Sequence, residues 1–294
     1  MNLVQLENFV HVAEHGSFSK AALVLGVAQP SLSRQVRALE VELREPLLLR
    51  HGRGVQLTET GRQLLDHCHG ILHLVAQVKE DLAARRDEAV GQISIAMTPS
   101  LARQHTLPLI LAFRKAMPKA RPSIIEGFSA HITEWLVAGR VDLGLLYNPE
   151  PLPSLDIQPL HEGRLFLVSL ASEAPSGPVA LRQLGKYPLV MPQRGHTFRK
   201  LVESAAALAG VKLRIEWEVS SIPVILDLVA AGMGHAALAE DAILSYPHPK
   251  RLGLTPITQP GIKYTLCLVT PAQRRATQLR RRTAELLTQL VSGS

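Results

Sequence analysis

Five polar side chains near the N-terminus combine the amide, hydroxyl and guanidinium groups that hydrogen-bond to nucleic acids. They lie within one nine-residue stretch and are Gln29, Ser31, Ser33, Arg34 and Arg37. Groups of these types contact base edges and phosphate oxygens. The apolar residues between them recur at the three-to-four spacing of one helical face, so the polar groups are expected on the opposite face. The segment therefore predicts a helix that presents hydrogen-bonding groups and positive charge.

The distribution of charge around this segment is more informative than its total. The whole chain carries a formal charge of +7, whereas residues 1–62 hold seven basic and six acidic side chains. No acid occurs between Ser17 and Leu39, and none between Pro46 and Thr58. Phosphate contact needs local positive potential rather than a charged domain, so these two windows are the expected contact surfaces. The alternative is an ordinary solvated helix.

Short helices with a turn between them precede the polar helix. Apolar periodicity predicts a first helix that ends near Gly16 and a second over residues 20–25, which Ser19 can cap and Gly26 can end. A third helix begins around Pro30, a residue suited to the first helical turn. Two helices joined by the turn at residues 26–29 have the form of a helix-turn-helix.

A hairpin is expected after the third helix. The apolar runs Leu47–Arg50 and Val55–Leu57 flank a four-residue loop that contains two glycines. Arg53 lies at the tip of this loop, where an arginine suits the narrow minor groove of DNA. The complete segment predicts a winged helix-turn-helix.

A long helix is predicted from Thr58, a plausible N-cap, to about residue 86. Its apolar residues follow a 4-3-4-3-4 spacing typical of a pairing seam between two chains. The seam comprises Leu64, Cys68, Ile71, Val75, Val78 and Leu82. The alternative is that this stripe packs on its own chain.

Two other hypotheses concern this long helix. His67, His69 and His73 suggest a metal site, but no acidic ligand lies close, so solvated or interface histidines are favoured. Cys68 is expected as a small buried residue, with a redox switch as the alternative.

From residue 91 onward, strand patterns alternate with helix patterns. Such alternation predicts mainly parallel sheets covered by helices, an α/β architecture. The predicted strands are Gln92–Met97, Ser123–Glu126, Val141–Leu146, Arg164–Leu170, Tyr187–Met191, Leu213–Val219, His235–Ala239 and Tyr264–Val269. The predicted helices are Leu101–Lys115, Ile132–Ala138, Thr197–Ala209, Ile222–Ala231 and Thr277–Leu290.

Four motifs in the N-terminal segment carry a family resemblance. GSFSKAA, QPSLSRQVRALE, PLLLR and LTETG occur in order and at family spacing, so the segment resembles the winged helix-turn-helix of the LysR-type transcriptional regulators. The rest of the chain is similar to that family's effector-binding domain in length and element order. One departure is GMGHAALAE, which puts Glu240 at a position that is commonly proline.

The resemblance implies an organisation for the whole chain. A DNA-binding domain would span 1–58 and a dimerisation helix 59–88. A two-lobed effector domain similar to periplasmic binding proteins would span 91–294, with lobe one at 91–161 and 267–294 and lobe two at 162–266. Two crossover strands would join the lobes. The subunits would form a homodimer, and a dimer of dimers beyond it.

Two sets of site residues follow. The expected DNA contacts are Ser19, Gln29, Pro30, Ser31, Ser33, Arg34, Arg37 and Arg53. The expected effector contacts lie between the lobes, beyond the carboxyl ends of the strands, and are Thr98, Pro99, Ser100, Gln193, His196, Thr197 and Arg199. Helix starts such as the one at Thr98 and Pro99 favour an anion, so a small carboxylate is the expected effector. The alternative makes Thr98 only a cap and treats Arg194 and Arg199 as solvated charges.

These features predict a sequence-specific regulator that binds double-stranded DNA at an interrupted inverted repeat and responds to a small molecule. The alternatives are a cytosolic small-molecule binding protein whose N-terminal helices only oligomerise it, and an α/β enzyme. No G-x-S-x-G, P-loop or H-E-x-x-H motif occurs, and no metal or cofactor is expected. The start of the chain and the short apolar runs predict a cytosolic protein with no membrane contact.

Overall fold

The computed structural model describes residues 1–51, 54–83, 89–244, 246–272 and 277–293. They form two compact units. The first comprises Met1–Glu88 with the short segment Val137–Val141, and the second comprises Ala89–Leu136 and Asp142–Ser294. No helix among the described residues is both long enough and apolar enough to cross a bilayer.

The first unit is a winged helix-turn-helix followed by a long helix, as the sequence predicts. The antiparallel strands pair Leu48 with Leu57 and His51 with Gly54. Its elements are α1 (Leu3–His15), α2 (Phe18–Leu25), α3 (Gln29–Leu43), β1 (Leu48–His51), β2 (Gly54–Leu57) and α4 (Glu59–Ala83). The core draws on every helix and includes Leu6, Phe9, Val12, Ala21, Leu32, Val36, Leu39, Leu47 and Cys68.

The boundary between α1 and α2 corrects one detail of the sequence analysis. Gly16 ends α1 in the left-handed conformation, with φ of 59°, which glycine adopts without steric penalty. The N-cap of α2 is Ser17 rather than Ser19, because the Ser17 Oγ accepts a hydrogen bond from the Lys20 backbone N–H at 3.4 Å. Ser19 is an exposed residue of the first turn of α2.

The long helix α4 divides into two parts. The Thr58 hydroxyl accepts a hydrogen bond from the Gly61 N–H at 2.9 Å, which confirms it as the N-cap. Cys68 is fully buried in the core of the first unit and Leu64 packs against that core. This early part of the predicted seam therefore packs on its own chain.

The later part of α4 keeps an apolar surface exposed. Ile71 is 37% exposed, Leu74 48% and Val78 51%, and Val75 is half-buried. The side chain of Leu82, the last residue of the predicted seam, lies outside the described residues. The 25 residues of α4 are about 37 Å long at 1.5 Å per residue.

The second unit has α/β architecture. Its strands are β3 (Gly91–Met97), β4 (Ala120–Glu126), β5 (Leu143–Tyr147), β6 (Leu155–Leu170), β7 (Val179–Ala180), β8 (Pro188–Met191), β9 (Arg214–Glu218), β10 (Ala236–Ala239), β11 (Leu252–Thr258) and β12 (Lys263–Pro271). Its α-helices are α5 (Pro99–Ala116), α6 (Ser129–Ala138), α7 (Thr197–Leu208), α8 (Ile222–Ala230), α9 (Glu240–Leu244) and α10 (Gln278–Ser292).

The main sheet is mixed rather than mainly parallel, which corrects the sequence-based expectation. Its order is β4-β3-β5-β12-β6-β11-β7, with β10 also paired to β6. β3 is parallel to β4 and β5, whereas β12 is antiparallel to β5 and β6. β8 and β9 form a separate parallel pair. Most of the antiparallel pairs involve β6, which pairs with β12 over its first part and with β10 and β11 over its second.

The passage of β6 between the lobes is visible in its hydrogen-bonded partners. Its residues up to Arg164 pair with β12, and those from Leu165 onward pair with β10 and β11. We use "first lobe" for β3–β5, α5, α6 and α10 with the adjoining part of β6 and β12. "Second lobe" denotes β7–β11 with α7–α9. The domain limits predicted from the sequence stay predictions.

Two strands and one α-helix of the described residues were not predicted from the sequence. β7 is only two residues long, and β11 contains Gly253 and Pro256, residue types that are rare in strands. Glu240 begins the short helix α9 directly after β10. The chain thus continues from strand to helix at the point where the family pattern would have proline.

Candidate nucleic-acid interface and ligand cavity

The polar side chains predicted to contact DNA share one surface of α3. Leu32, Val36 and Leu39 are buried on the inner face of the helix. Gln29, Pro30, Arg34 and Arg37 are exposed on the outer face, and Ser31 and Ser33 are half-buried beside them. Ser19 is exposed at the start of α2. Arg53 lies outside the described residues.

The start of α3 has no side-chain cap. Its N-cap residue is Ala28, and Pro30 occupies its first turn. The positive end of the helix dipole therefore meets solvent rather than a side-chain oxygen, an arrangement that suits phosphate binding. Among the described residues, neither Arg34 nor Arg37 has an ion-pair or hydrogen-bond partner. Both guanidinium groups are free to meet an anion.

Arg50 of β1 connects the wing to α3, a role that the sequence analysis missed. Its Nη1 donates to the Ser33 Oγ at 3.3 Å, and its guanidinium lies 4.8 Å from the centre of the Phe18 ring. The carboxylate of Glu40 is 3.9 Å from Arg50 and accepts hydrogen bonds from the backbone N–H groups of Leu47 and Leu48. The wing and the exposed face of α3 are thereby held together. The position of Arg50 in an acid-free window was the available signal.

A cavity of about 630 Å³ lies between the two lobes of the second unit. Three helices begin at its wall: α5 through Pro99 and Ser100, α7 through its N-cap His196, and α8 through Ser221 and Ile222. The remaining lining residues are Arg103, Glu126, Phe128, Ser220, Pro223, Leu226, Ala242 and Tyr246. Apolar walls with a few polar groups are typical of small-molecule sites of this size.

Two of these three helix starts lack a side-chain cap. Neither the Thr98 hydroxyl nor the Ser221 hydroxyl caps its own helix. Thr98 is 7% exposed, and its Oγ1 has no hydrogen-bond partner among the described residues. A buried hydroxyl without a partner loses about 1–3 kcal/mol relative to one that is hydrogen-bonded. Thr98 directly precedes Pro99, which lines the cavity, but Thr98 itself is not a lining residue.

His196 caps the third helix and is neutral at pH 7. Its Nδ1 accepts a hydrogen bond from the Phe198 N–H at 3.2 Å. Burial lowers the pKa of His196 to about 4. Since Nδ1 is the acceptor, the proton of the neutral ring is on Nε2, so the ring retains one N–H donor.

The structure places the seven predicted effector residues in different surroundings. Pro99, Ser100 and His196 line the cavity, and Thr98 is buried next to it. Gln193 is exposed and is not a lining residue. Thr197 lines a second cavity of about 450 Å³ and hydrogen-bonds to the Ser129 hydroxyl of the first lobe at 3.1 Å.

The surroundings of Arg199 contradict both interpretations made from the sequence, an effector contact and a solvated charge. It is 2% exposed, so it is neither a solvated charge nor a free ligand for an anion. Its guanidinium pairs with Glu203 at 2.7 Å and with Glu218 at 2.9 Å, and donates to the Pro192 carbonyl at 2.9 Å. The hydrogen bond to Glu218 is the main reason that the pKa of Arg199 is raised and that of Glu218 lowered. Arg199 joins α7 to β9 within the second lobe.

Several lining residues were missed from the sequence. Two of them had a signal: Ser221 and Pro223 repeat the pattern of a hydroxyl residue and a proline at a helix start that identified Thr98 and Pro99. Arg103 and Glu126 had none, because only the packing of α5 and β4 brings them to the same cavity.

The cysteines and histidines do not form a reactive or metal-binding cluster in the described part of the chain. Burial raises the pKa of the Cys68 thiol to about 11 and also raises that of Cys267. A thiol is nucleophilic only as thiolate, so the hypothesis of a redox switch at Cys68 loses its chemical basis. No metal-binding group of three or more ligands occurs among the described residues. His69 instead lies 3.6 Å from Glu14 of α1, and the side chain of His73 lies outside the described residues.

Two family models together match almost the whole chain. The model described as "Bacterial regulatory helix-turn-helix protein, lysR family" matches residues 3–62. The model described as "LysR substrate binding domain" matches residues 86–292. The first match contains α1 to β2, and the second contains every lining residue of the cavity between the lobes.

Individual relatives match along their full length. The nitrogen assimilation regulatory protein nac of Escherichia coli is 31% identical over 294 residues, which cover 100% of this chain and 96% of the relative. Full-length CbnR complexed with its target DNA has a TM-score of 0.73 and 25% identity, covering 99% of this chain and 100% of that one. A full-length OxyR from Pseudomonas aeruginosa shares the fold with a TM-score of 0.75 and 23% identity, covering 99% of this chain and 94% of that one.

Proposed function

Because the chain belongs to the LysR family of DNA-binding transcriptional regulators with an effector-binding domain, we propose that α3 and the wing bind its operator and that a small carboxylate controls it. Relatives of this chain are named as transcriptional regulators rather than enzymes. This removes the α/β enzyme from consideration and disfavours the small-molecule binding protein whose N-terminal helices only oligomerise it.

The observation that carries the DNA-binding proposal is the free, uncapped start of α3. Its dipole, the exposed Gln29 and the unpaired Arg34 and Arg37 together form a surface with no competing carboxylate partner among the described residues. Such a helix start suits the major groove, where its first residues contact base edges and phosphates. Arg50 holds the wing beside the same surface.

The experiment for this surface compares specific with random duplex DNA. Arg34→Ala is expected to weaken operator binding by about 1–3 kcal/mol if the side chain contacts a base, and to weaken binding to every duplex alike if it contacts a phosphate. Fluorescence anisotropy with both duplexes separates the two contacts. The matched control is Arg282→Ala on α10, an exposed arginine of the other unit. Unchanged affinity of Arg34→Ala for both duplexes would remove α3 from the interface.

We further propose that the exposed apolar face of α4 pairs two subunits. Ile71, Leu74 and Val78 lie three or four residues apart along one helical face, and such a face is stabilised by a second helix. A two-fold protein dimer requires a two-fold arrangement of half-sites, so the operator is expected to be an interrupted inverted repeat. A dimer of dimers, implied by the family resemblance, is part of the same proposal.

The effector proposal rests on the two uncapped helix starts and the Nε2–H donor of His196 at one cavity. Each favours negative charge, and together they suit a carboxylate. Thermal-shift screening of carboxylates, followed by calorimetric titration of the wild type and Ser100→Ala, tests this. Ser100→Ala is expected to weaken binding, and Gln193→Ala, outside the cavity, is the control. Equal affinities in all three proteins would exclude Ser100 from the site.

A further inference from the structure

The cavity between the lobes contains two formally charged side chains of opposite sign. Among its described lining residues, Arg103 is the only cation and Glu126 the only anion, and His196 is neutral at pH 7. A dicarboxylate would place two negative charges where the lining provides one positive and one negative group. One positive and one negative side chain in the lining favour a ligand that also carries one positive and one negative group.

Glu126 is available to a ligand. It is the last residue of β4, it is exposed, and no ion pair or hydrogen bond engages its carboxylate within the described residues. The same is true of the Arg103 guanidinium. A carboxylate that lines a cavity without a cationic partner favours a ligand with an ammonium or other N–H group.

The position of Glu126 relative to the start of α5 defines the spacing of the charges. β3 and β4 are parallel neighbours, and Glu126 pairs in register with Met97, the residue directly before Thr98. Adjacent strands are about 4.8 Å apart. Glu126 therefore lies beside the residue that precedes the uncapped start of α5, and Glu126 and the first residues of α5 line the same cavity. This spacing suits an ammonium group and a carboxylate attached to one carbon.

Apart from Ser100, Ser220 and Ser221, the rest of the lining is largely apolar. Phe128, Ile222, Leu226, Ala242 and Pro223 provide hydrocarbon surface, and the Tyr246 hydroxyl is already bound to the Asp227 carboxylate at 2.8 Å. A ligand that places its charged groups at β4 and α5 would lay an apolar body on this surface.

From this arrangement we propose that the effector is an α-amino acid with an apolar side chain. Its carboxylate lies at the starts of α5 and α8. The N-cap residue of α5 is Thr98, whose buried hydroxyl has no partner among the described residues. Its ammonium group pairs with Glu126, and its side chain packs on Phe128 and Leu226. The inference rests on the proposed function, since it specifies which carboxylate the same cavity binds.

The test uses the full chain and matched pairs of ligands that differ only in the amino group. Calorimetric titration compares phenylalanine with 3-phenylpropionate, and leucine with 4-methylpentanoate. Phenethylamine and phenylsuccinate serve as amine-only and dicarboxylate probes. We expect each amino acid to bind about five- to tenfold more tightly than the matched carboxylate that lacks the amino group. Glu126→Gln should abolish this preference and leave the affinity of the carboxylate without the amino group unchanged or improved. The control is Glu285→Gln, at an exposed glutamate of α10, which should change neither the preference nor that affinity.

Each other outcome contradicts a defined step. If 3-phenylpropionate, 4-methylpentanoate or phenylsuccinate binds at least as tightly as the amino acids, or if Glu126→Gln preserves the preference, the amino-acid inference is wrong and the carboxylate proposal stands. If phenethylamine binds and no carboxylate does, or if no probe binds, both the inference and the carboxylate proposal fail.

Discussion

The proposed DNA surface and the cavity between the lobes use one structural device, an α-helix without a side-chain cap at its start, in opposite surroundings. α3 begins at Ala28 on an exposed surface, whereas α5 and α8 begin at Thr98 and Ser221 at the wall of a cavity. By contrast, side-chain oxygens cap other helices of the described chain, α1 at Asn2, α2 at Ser17, α4 at Thr58 and α10 at Thr277.

The difference between the two regions lies in the charges around each helix start. Beside α3, Arg34 and Arg37 have no carboxylate partner among the described residues, so positive potential accumulates over an open surface. Beside α5, Arg103 and Glu126 balance each other and apolar side chains complete the wall. A surface with unbalanced positive charge suits a polyanion, and a cavity with balanced charge suits a small ligand whose own charges balance. Each prediction below tests this contrast.

The dependence of binding on salt is the largest expected difference between the two sites. Between about 50 and 200 mM salt, operator affinity should fall roughly a thousandfold, because a duplex releases bound counterions as its phosphates are neutralised. Affinity for a cavity ligand should change by less than about threefold, since a single small ligand releases few counterions. Anisotropy and calorimetry at matched salt concentrations measure the two slopes. Slopes of equal size would mean that the sites do not differ in the way proposed.

The exposed part of α4 should matter more for DNA than for the effector. Ile71→Asp with Val78→Asp places like charges against each other in a paired helix, so sedimentation velocity should show a shift towards monomer. Loss of the second subunit, and with it the second copy of α3, should weaken operator binding about a hundredfold. Ala76→Asp, at an exposed position on another face of α4, is the matched control. An unchanged sedimentation coefficient in the double variant would exclude this face from pairing.

Arg199 and Arg34 contrast a buried, paired arginine with an exposed, unpaired one. Arg199→Ala should lower the free energy of unfolding of the second unit by about 2–3 kcal/mol, less than for a fully buried pair because Glu203 and Glu218 are partly exposed. Arg34→Ala should leave stability unchanged and weaken DNA binding. Urea unfolding of both variants measures this difference. A fully stable Arg199→Ala that no longer binds the effector would restore the direct contact expected from the sequence.

What the sequence could predict depends on the distance between interacting residues along the chain. The first three helices were predicted to within one or two residues, because Gly16, Gly26 and Pro30 set the ends of the helices in which they lie or which they border. The predicted end of the long helix near residue 86 lies outside the described residues. The cap of α2 was misplaced by two residues because Ser17 and Ser19 are both good caps, and only the backbone of the preceding turn selects between them.

Non-local pairing accounts for most of the remaining errors. Glu218 neutralises Arg199 from 19 residues away, and Glu126 reaches the cavity because β4 lies beside β3. The early part of the α4 seam has the apolar spacing of a dimer helix, yet Cys68 is fully buried in the core of its own unit. A heptad pattern shows that one face of a helix is apolar, but it does not show which partner covers that face.

The pH should affect the stability of the effector-binding unit through its buried histidines. Burial is the main cause that lowers the pKa of His105, His196 and His235 below the ordinary value, for His196 to about 4. The unfolded chain therefore binds protons that the folded chain does not, and stability falls as the pH drops below about 6.5. For His196 alone the loss between pH 7.5 and 5.5 is about 1 kcal/mol.

Thermal unfolding across this pH range checks the contribution of His196. His196→Asn keeps an acceptor for the Phe198 N–H and removes the titrating ring. Its loss of stability between pH 7.5 and 5.5 should therefore be about 1 kcal/mol smaller than that of the wild type. His67→Asn, an exposed histidine of α4, is the control. A His196→Asn curve parallel to that of the wild type would mean that the ring does not remain neutral in the folded state.

The smallest expected effect tests the uncapped helix start itself. Ala28→Ser would supply α3 with the hydroxyl that it lacks, and this should raise the stability of the first unit by about 0.5–1 kcal/mol. The new hydroxyl would compete with a phosphate for the Ser31 N–H, which already donates to the Ala28 carbonyl at 2.9 Å, so operator affinity should fall about threefold as stability rises. Asn2→Ala removes the cap of α1 and should do the reverse for stability, with a loss of about 1 kcal/mol and no change in DNA affinity. Thermal unfolding and anisotropy of both variants measure the two effects together. If Ala28→Ser raised stability and left DNA affinity unchanged, the start of α3 would be uncapped for a reason other than DNA binding.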